Sequence, residues 1–256
     1  MLNNIFDTHA HYDEVVFRDH LPEVLADQQA KGVRLIINSG SDLPSSYRSV
    51  DMANNYPFVS AAVGIHPMSA GDLPEDYLAK LREMAKNPKV VSIGEIGLDY
   101  FYSDQVHPDK QKEVFRQQLE LAAELKLPVE IHDRDSHDDM LEILREYKPA
   151  GVIHRFSGSP EMAEEVVSFG MRIGVGCAIT YKNSRDERET VRRVPLNMLL
   201  LETDCPFLPP SHMRNSTNTS DQIAFAAEEI GKIKGVDPQE VIDLCTRRGM
   251  ELFGIK

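Results

Sequence analysis

The sequence predicts an α/β fold, a (β/α)8 TIM barrel, on three observations. Its 256 residues match the ~250 typical of one such barrel. Short apolar runs alternate with longer amphipathic segments about eight times from end to end. Alternating strands and helices with short connections imply right-handed βαβ units around a parallel sheet. Several runs are near-continuous in Val, Ile and Leu, the pattern of parallel strands buried on both faces. A doubly wound open sheet is the alternative; the number of units favours closure. No Pro/Gly/Ser linker, low-complexity tract or residue-level repeat interrupts the chain, so residues 1–256 read as a single barrel domain.

The first strand candidate is IFDTHAH from Ile5, followed by VRLIINSG from Val33, FVSAAVGIHP from Phe58 and VVSIGEIGLD from Val90. LPVEIHDRD from Leu127, GVIHRFSG from Gly151, MRIGVGCAIT from Met171 and NMLLLETDCP from Asn197 complete the set. Pro108–Leu125 is the clearest helix: Val114, Phe115, Leu119, Leu121, Ala122 and Leu125 form an apolar stripe at helical spacing. Residues 160–169 begin after Ser159 as N-cap, with Pro160 at the first helical position, where both residue types are favoured. Residues 219–234 and 237–253 give two more helical patterns. The polar stretch LPPSHMRNSTNTS at 208–220 reads as a loop after the last strand, on the face where barrel enzymes keep their chemistry.

Hydrophobic residues at 41% and charged residues at 27% exclude a disordered chain. The balance of 28 basic against 41 acidic side chains, a net charge of −13, excludes a bulk electrostatic nucleic-acid binder, which carries a basic face. It leaves room for an enzyme whose bound metal ions supply local positive charge. Cys177, Cys205 and Cys245 are far apart and form no C-x-x-C. They read as inert thiols of a reducing compartment, not as a disulfide framework or a thiolate zinc site. The chain opens without the pattern of a signal peptide, and no stretch approaches ~18 apolar residues. A cytoplasmic protein is expected.

The informative feature is where histidines and acids fall. His9 and His11 close the first strand candidate, Glu95 the fourth, His132 the fifth, His154 the sixth and Asp204 the eighth. In a parallel barrel these strand ends meet at one mouth. In H-x-H on a strand, residues i and i+2 face the same side, so His9 and His11 can meet one ion. A glutamate between two ions can bridge them with its two oxygens. Four imidazoles and two carboxylates suit Zn, Mn, Ni or Co better than Ca. Two ions ~3.5–4 Å apart form a clamp for hydrolytic displacement at phosphorus. His20, His107 and His137 lack this placement and read as surface or loop histidines.

Six motifs then align in order: DTHAHYD at Asp7, VGIHP at Val63, IGEIGLDY at Ile93, LPVEIHDRD at Leu127, HRFSG at His154 and LLETDCPFLPP at Leu200. On these motifs the chain resembles, over nearly its whole length, the TatD-related metal-dependent deoxyribonucleases, a branch of the amidohydrolase-like barrel superfamily. The resemblance implies a (β/α)8 barrel of the metal-dependent hydrolase type with two divalent metal ions (Zn, Mn, Mg, Ni or Co). His9 and His11 would hold the first ion, Glu95 would bridge, and His132 and His154 would hold the second. Asp204 would bind the first ion and act on the nucleophilic water. His66 is implied as a catalytic residue on the phosphate side. The chain departs from the family at Arg155, where Cys is usual. It also departs in the SHMRNST loop, which keeps Arg214 and Asn215 but loses the acid and proline that normally follow.

The function expected is cleavage of DNA phosphodiester bonds, with Arg134, Arg155 or Arg214 contacting substrate. Arg134 has the alternative of an ion pair with Asp133 or Asp135. Arg155 has the alternative of facing the helical layer and pairing with a helix acid. Related barrels that open esters, amides or lactones are the second function considered, and the absence of a bridging lysine weighs against them. A non-catalytic metal-binding interaction protein is the third; Asp204 weighs against it, because a purely structural site needs no acid to activate water. A monomer is expected.

Overall fold

A computed structural model describes residues 2–256. Its eight strands, β1 (Ile5–Ala10), β2 (Val33–Ser39), β3 (Val59–Val63), β4 (Val90–Asp99), β5 (Val129–Arg134), β6 (Gly151–Ile153), β7 (Arg172–Val175) and β8 (Leu199–Leu201), form one sheet in chain order. Each neighbouring pair runs parallel. The curl closes through the segment after β8. Ala10 bridges to Cys205 in parallel, the Asp204 amide donates to the His9 carbonyl at 3.0 Å and the His11 amide to the Cys205 carbonyl at 2.8 Å. Asp7 reinforces the seam by accepting from the Thr203 amide and hydroxyl and from the Ser220 hydroxyl. The expected closed barrel stands, not the open sheet.

Helices α1 (Leu21–Ala30), α2 (Leu43–Asn55), α3 (Tyr77–Met84), α4 (Pro108–Leu125), α5 (His137–Tyr147), α6 (Pro160–Ser168), α7 (Arg185–Arg193) and α8 (Ile223–Lys234) follow the strands, and α9 (Pro238–Phe253) is additional. Helix α4 spans the expected residues. Pro108 opens it, the His107 ring accepts from the Asp109 amide, and its apolar stripe is buried except for the half-buried Leu125. Helix α6 starts from the Ser159 cap as expected and ends one residue earlier. The pattern from 219 begins with a 3-10 turn, Ser220–Gln222, before α8. Among the described residues no helix is long and apolar enough to cross a membrane.

A small apolar cluster gathers Phe6, Ile37, Ala62, Val91, Val152 and Leu200 from six strands, with Phe253 of α9. Residues from six strands can meet in one cluster only inside the barrel, so α9 plugs the barrel with Phe253 set edge-on to Phe6. The larger core lies between strands and helices.

Most of these strand ends differ from expectation. Strand β1 stops at Ala10, one residue before His11, and β5 runs two residues past His132, to Arg134. Strands β6 and β8 have three residues each, so His154 and Asp204 lie beyond them. The backbone turns left-handed at Arg155 (φ 43°) and Asp204 (φ 59°), a conformation no strand can continue through. Glu95 sits in the middle of β4, which runs on to Asp99. At Gly97 (φ 143°) a Cβ would collide with the His132 carbonyl, so glycine is what lets β4 approach β5 beside that histidine.

Candidate active site

At the C-terminal ends of the strands lies a cavity of about 240 Å³ whose wall includes His11, Glu95, His132, His154 and Asp204. His9 lies beneath it, fully buried. The six residues picked out from the sequence thus converge. Glu95 stands at the centre with its two oxygens facing different histidines. Oε2 lies 3.7 Å from His9 Nε2 and 3.6 Å from His11 Nε2. Oε1 lies 2.8 Å from both His132 Nδ1 and His154 Nε2. Asp204 Oδ1 closes the first group, 3.4 Å from His11 Nε2 and 3.8 Å from His9 Nε2. His9, His11 and Glu95 could hold one cation, and Glu95, His132 and His154 another.

The donor chemistry fits metal ions. His11 Nδ1 lies 2.9 Å from the Ser39 carbonyl and His9 Nδ1 3.1 Å from Glu130 Oε2. Both partners only accept, so both Nδ1 atoms carry protons. The two Nε2 atoms are therefore lone-pair donors, yet they face each other at 3.1 Å. Such an arrangement needs positive charge between them. The electrostatics agree. Burial opposes charge on His9, but the bond to Glu130 and the charges of Glu95, Glu130 and Asp204 outweigh it and raise its pKa to about 10. His132 is raised to about 9 against burial by its bonds to Asp99 and Glu95. Asp204 is lowered to about 2, chiefly by His11 and His154 overcoming burial, and Glu95 falls well below the carboxylate range by the same balance. Without a cation between them, protons on the imidazoles would have to supply that charge.

His66 belongs to the same cavity. The Met68 amide donates to its Nδ1 at 3.1 Å, and burial pushes its pKa down to about 3. It is a neutral imidazole with its proton on Nε2, 3.7 Å from Glu95 Oε1. Of the arginines considered, only Arg134 lines the cavity. It stacks 3.9 Å above the exposed Phe101 ring. Asp133, one alternative partner, accepts from Ser136 and lies 2.7 Å from His137 instead. Arg155 is half-buried, and its amide donates to Glu202. Its charge lowers the pKa of Glu187 on α7, which burial pushes up to about 8. Arg214 is exposed, 4.7 Å over the Tyr181 ring.

Three buried carboxylates escaped the sequence reading. Asp99 Oδ2 lies 3.1 Å from His132 Nε2, Glu130 backs His9, and Glu202 Oε1 lies 3.7 Å from His154 Nδ1. Spacing held a signal for two of them. Asp99 is four residues from Glu95 on β4, and Glu130 is two residues before His132 on β5, even offsets that keep one face. Glu202 and Asp204 both lie beyond β8, where the rule does not apply.

Comparison with known proteins agrees with this geometry. The family model described as "TatD related DNase" matches residues 6–254. The metal-dependent hydrolase YabD of Bacillus subtilis is 39% identical over 254 residues, covering 98% of this chain and 99% of the relative. The 3'-5' ssDNA/RNA exonuclease TatD of Erwinia billingiae is 30% identical over 258 residues, covering 97% and 98%. The crystal structure of YJJV, a TatD homolog from Escherichia coli K12, superposes over the full length of both chains with a TM-score of 0.94 at 32% identity. The chain belongs to the TatD-related DNase family of metal-dependent hydrolases.

Proposed function

We propose that this chain is a metal-dependent deoxyribonuclease that hydrolyses phosphodiester bonds of DNA at a dinuclear site, in one barrel domain. The observation that carries the reading is Glu95, whose two carboxylate oxygens each face a different pair of imidazoles. In this reading His9, His11 and Asp204 would hold one ion and His132 and His154 the other, with Glu95 shared between the two sets. Bound there, divalent ions would polarise a phosphoryl oxygen and lower the pKa of a water toward ~7.

The chain's own groups supply the rest. Asp204 is ionised and aimed into the cavity, so it orients the attacking water and takes its proton. Neutral His66 offers an Nε2 proton to a phosphate oxygen or the leaving oxygen. Arg134, held flat on Phe101, presents a guanidinium edge to a phosphate. Arg214, exposed on the loop after β8, contributes from further out, whereas the Arg155 charge acts within the protein, on Glu187 of α7. The named activity of the Erwinia relative supports a nucleic-acid strand as the partner. The three free cysteines, all buried, support a reducing, cytoplasmic setting, and a monomer suffices because the cavity is built from one chain.

The test is a nuclease assay on 5′- and 3′-labelled single strands across Mg, Mn, Zn and Co. Metal-dependent shortening abolished by chelator is expected. Unaltered strands with every ion would refute the reading. Hydrolysis of p-nitrophenyl acetate but not of bis(p-nitrophenyl) phosphate would move the chain to carboxylic ester or amide substrates.

A further inference from the structure

We propose that Glu130 is a positioning residue that fixes the tautomer and orientation of His9 and makes the His9/His11 position the tighter of the two metal positions. This deepens the dinuclear reading above and rests on it.

Glu130 lies on β5 between Val129 and Ile131, two residues before His132, and is fully buried. A carboxylate inside a barrel persists only if its oxygens are satisfied. Here the Ser39 hydroxyl of β2 donates to Oε2 at 2.7 Å and the Ser92 hydroxyl of β4 donates to Oε1 at 2.5 Å. His9 Nδ1 lies 3.1 Å from Oε2. Among the described residues no lysine or arginine pairs with it; its one ion-pair partner is His9. An ionised carboxylate only accepts, so His9 must place a proton on Nδ1. Nε2 is left as the lone pair that points at His11 Nε2, Glu95 and Asp204. The two serines hold the carboxylate from either side, and the carboxylate holds the ring.

The four imidazoles are not backed alike. His9 has the Glu130 carboxylate, and His11 has the carbonyl of Ser39, the residue whose hydroxyl holds Glu130. His132 has Asp99. His154 Nδ1 is buried without a hydrogen-bond partner; Glu202 Oε1, 3.7 Å away, is beyond hydrogen-bond reach and accepts from the Arg155 amide instead. A carboxylate behind a ligating imidazole raises its basicity and locks its ring, and losing it costs 10–100-fold in affinity by general experience. One position therefore has both imidazoles anchored through a single Ser39–Glu130 unit. The other has one imidazole free of such a bond.

The test is titration of the metal-free full chain with Co²⁺ against a competing chelator. Wild type should bind in two steps. Glu130→Gln keeps the side-chain volume and removes the charge, and it should weaken the tighter step by about 10–100-fold while leaving the weaker step in place. Unchanged binding in both steps overturns the proposal, as does equal weakening of both steps with a lowered melting temperature. Wild type that binds no Co²⁺ would instead bring down the metal reading itself. Should Glu130→Gln not fold, long-range ¹H–¹⁵N NMR of Zn²⁺-loaded wild type reads the tautomer directly. His9 protonated at Nδ1 is expected, and His9 protonated at Nε2 overturns the proposal.

Discussion

Replacing Asp204 by Asn tests the assignment of the base with little disturbance to the fold. Asp204 sits at φ 59°, a left-handed conformation that Asn tolerates as well as Asp. Its structural bonds run through the backbone: its amide donates to the His9 carbonyl at 3.0 Å, and its carbonyl accepts from the Phe207 amide at 2.9 Å. These survive the change. What is lost is a carboxylate with an oxygen 3.4 Å from His11 Nε2 and a pKa near 2, replaced by an amide that takes no proton at any working pH. General acid–base catalysis contributes about 10²–10⁴-fold, or roughly 3–5 kcal/mol of barrier. Turnover of bis(p-nitrophenyl) phosphate and of a labelled strand should fall by that factor at saturating metal, with KM changing far less. Elemental analysis of the same sample must find metal present, so that a lost ion is not mistaken for a lost base. Near-normal turnover in the metal-replete variant would refute the assignment.

The metal-free protein should lose thermal stability as pH rises. His9 and His132 have folded pKa values of about 10 and 9, above the ordinary 6.5, so their contribution is complete below about pH 6.5 and is lost through pH 9–10. Saturating metal should flatten that fall; a metal-free melting temperature constant from pH 7 to 10 would contradict it. Arg134→Met should raise KM for a DNA strand and reduce the slope of log KM against log salt by about 0.7, one phosphate contact on a single strand. An unchanged slope would remove Arg134 from the substrate. Arg155→Cys should lower the melting temperature and leave KM alone, since the Arg155 charge favours the ionised form of the half-buried Glu187 of α7. A raised KM with unchanged stability would give Arg155 a direct grip on DNA.

The fold was legible because a parallel barrel repeats one unit, and the unit's signals are local. Pro108 and the stripe from Val114 to Leu125 bound α4 without any knowledge of its neighbours. The candidate ligands were legible because the mouth collects strand ends, so His9, His132 and Asp204 could be grouped without distances. The residues behind them were not. That Glu130 meets His9 and Asp99 meets His132 depends on register, and β4 carries a register shift against β5 between Ile93 and Ile96. The place of Glu95 within β4 was obscured for the same reason. Strand alternation would turn Arg155 outward, but it ceases to apply once β6 ends at Ile153 and the backbone turns left-handed. The plug made by Phe253 of α9 against Phe6 joins residues from the two ends of the chain, and no local pattern marks it.

The measurement closest to the central claim is anomalous diffraction from crystals of the metal-replete protein at the edge of the ion supplied. Two peaks are predicted, one touching His9 Nε2, His11 Nε2 and Asp204, the other touching His132 and His154, with Glu95 reaching both. Reconstituted crystals in which no ion touches both His9 and His11 would contradict the account.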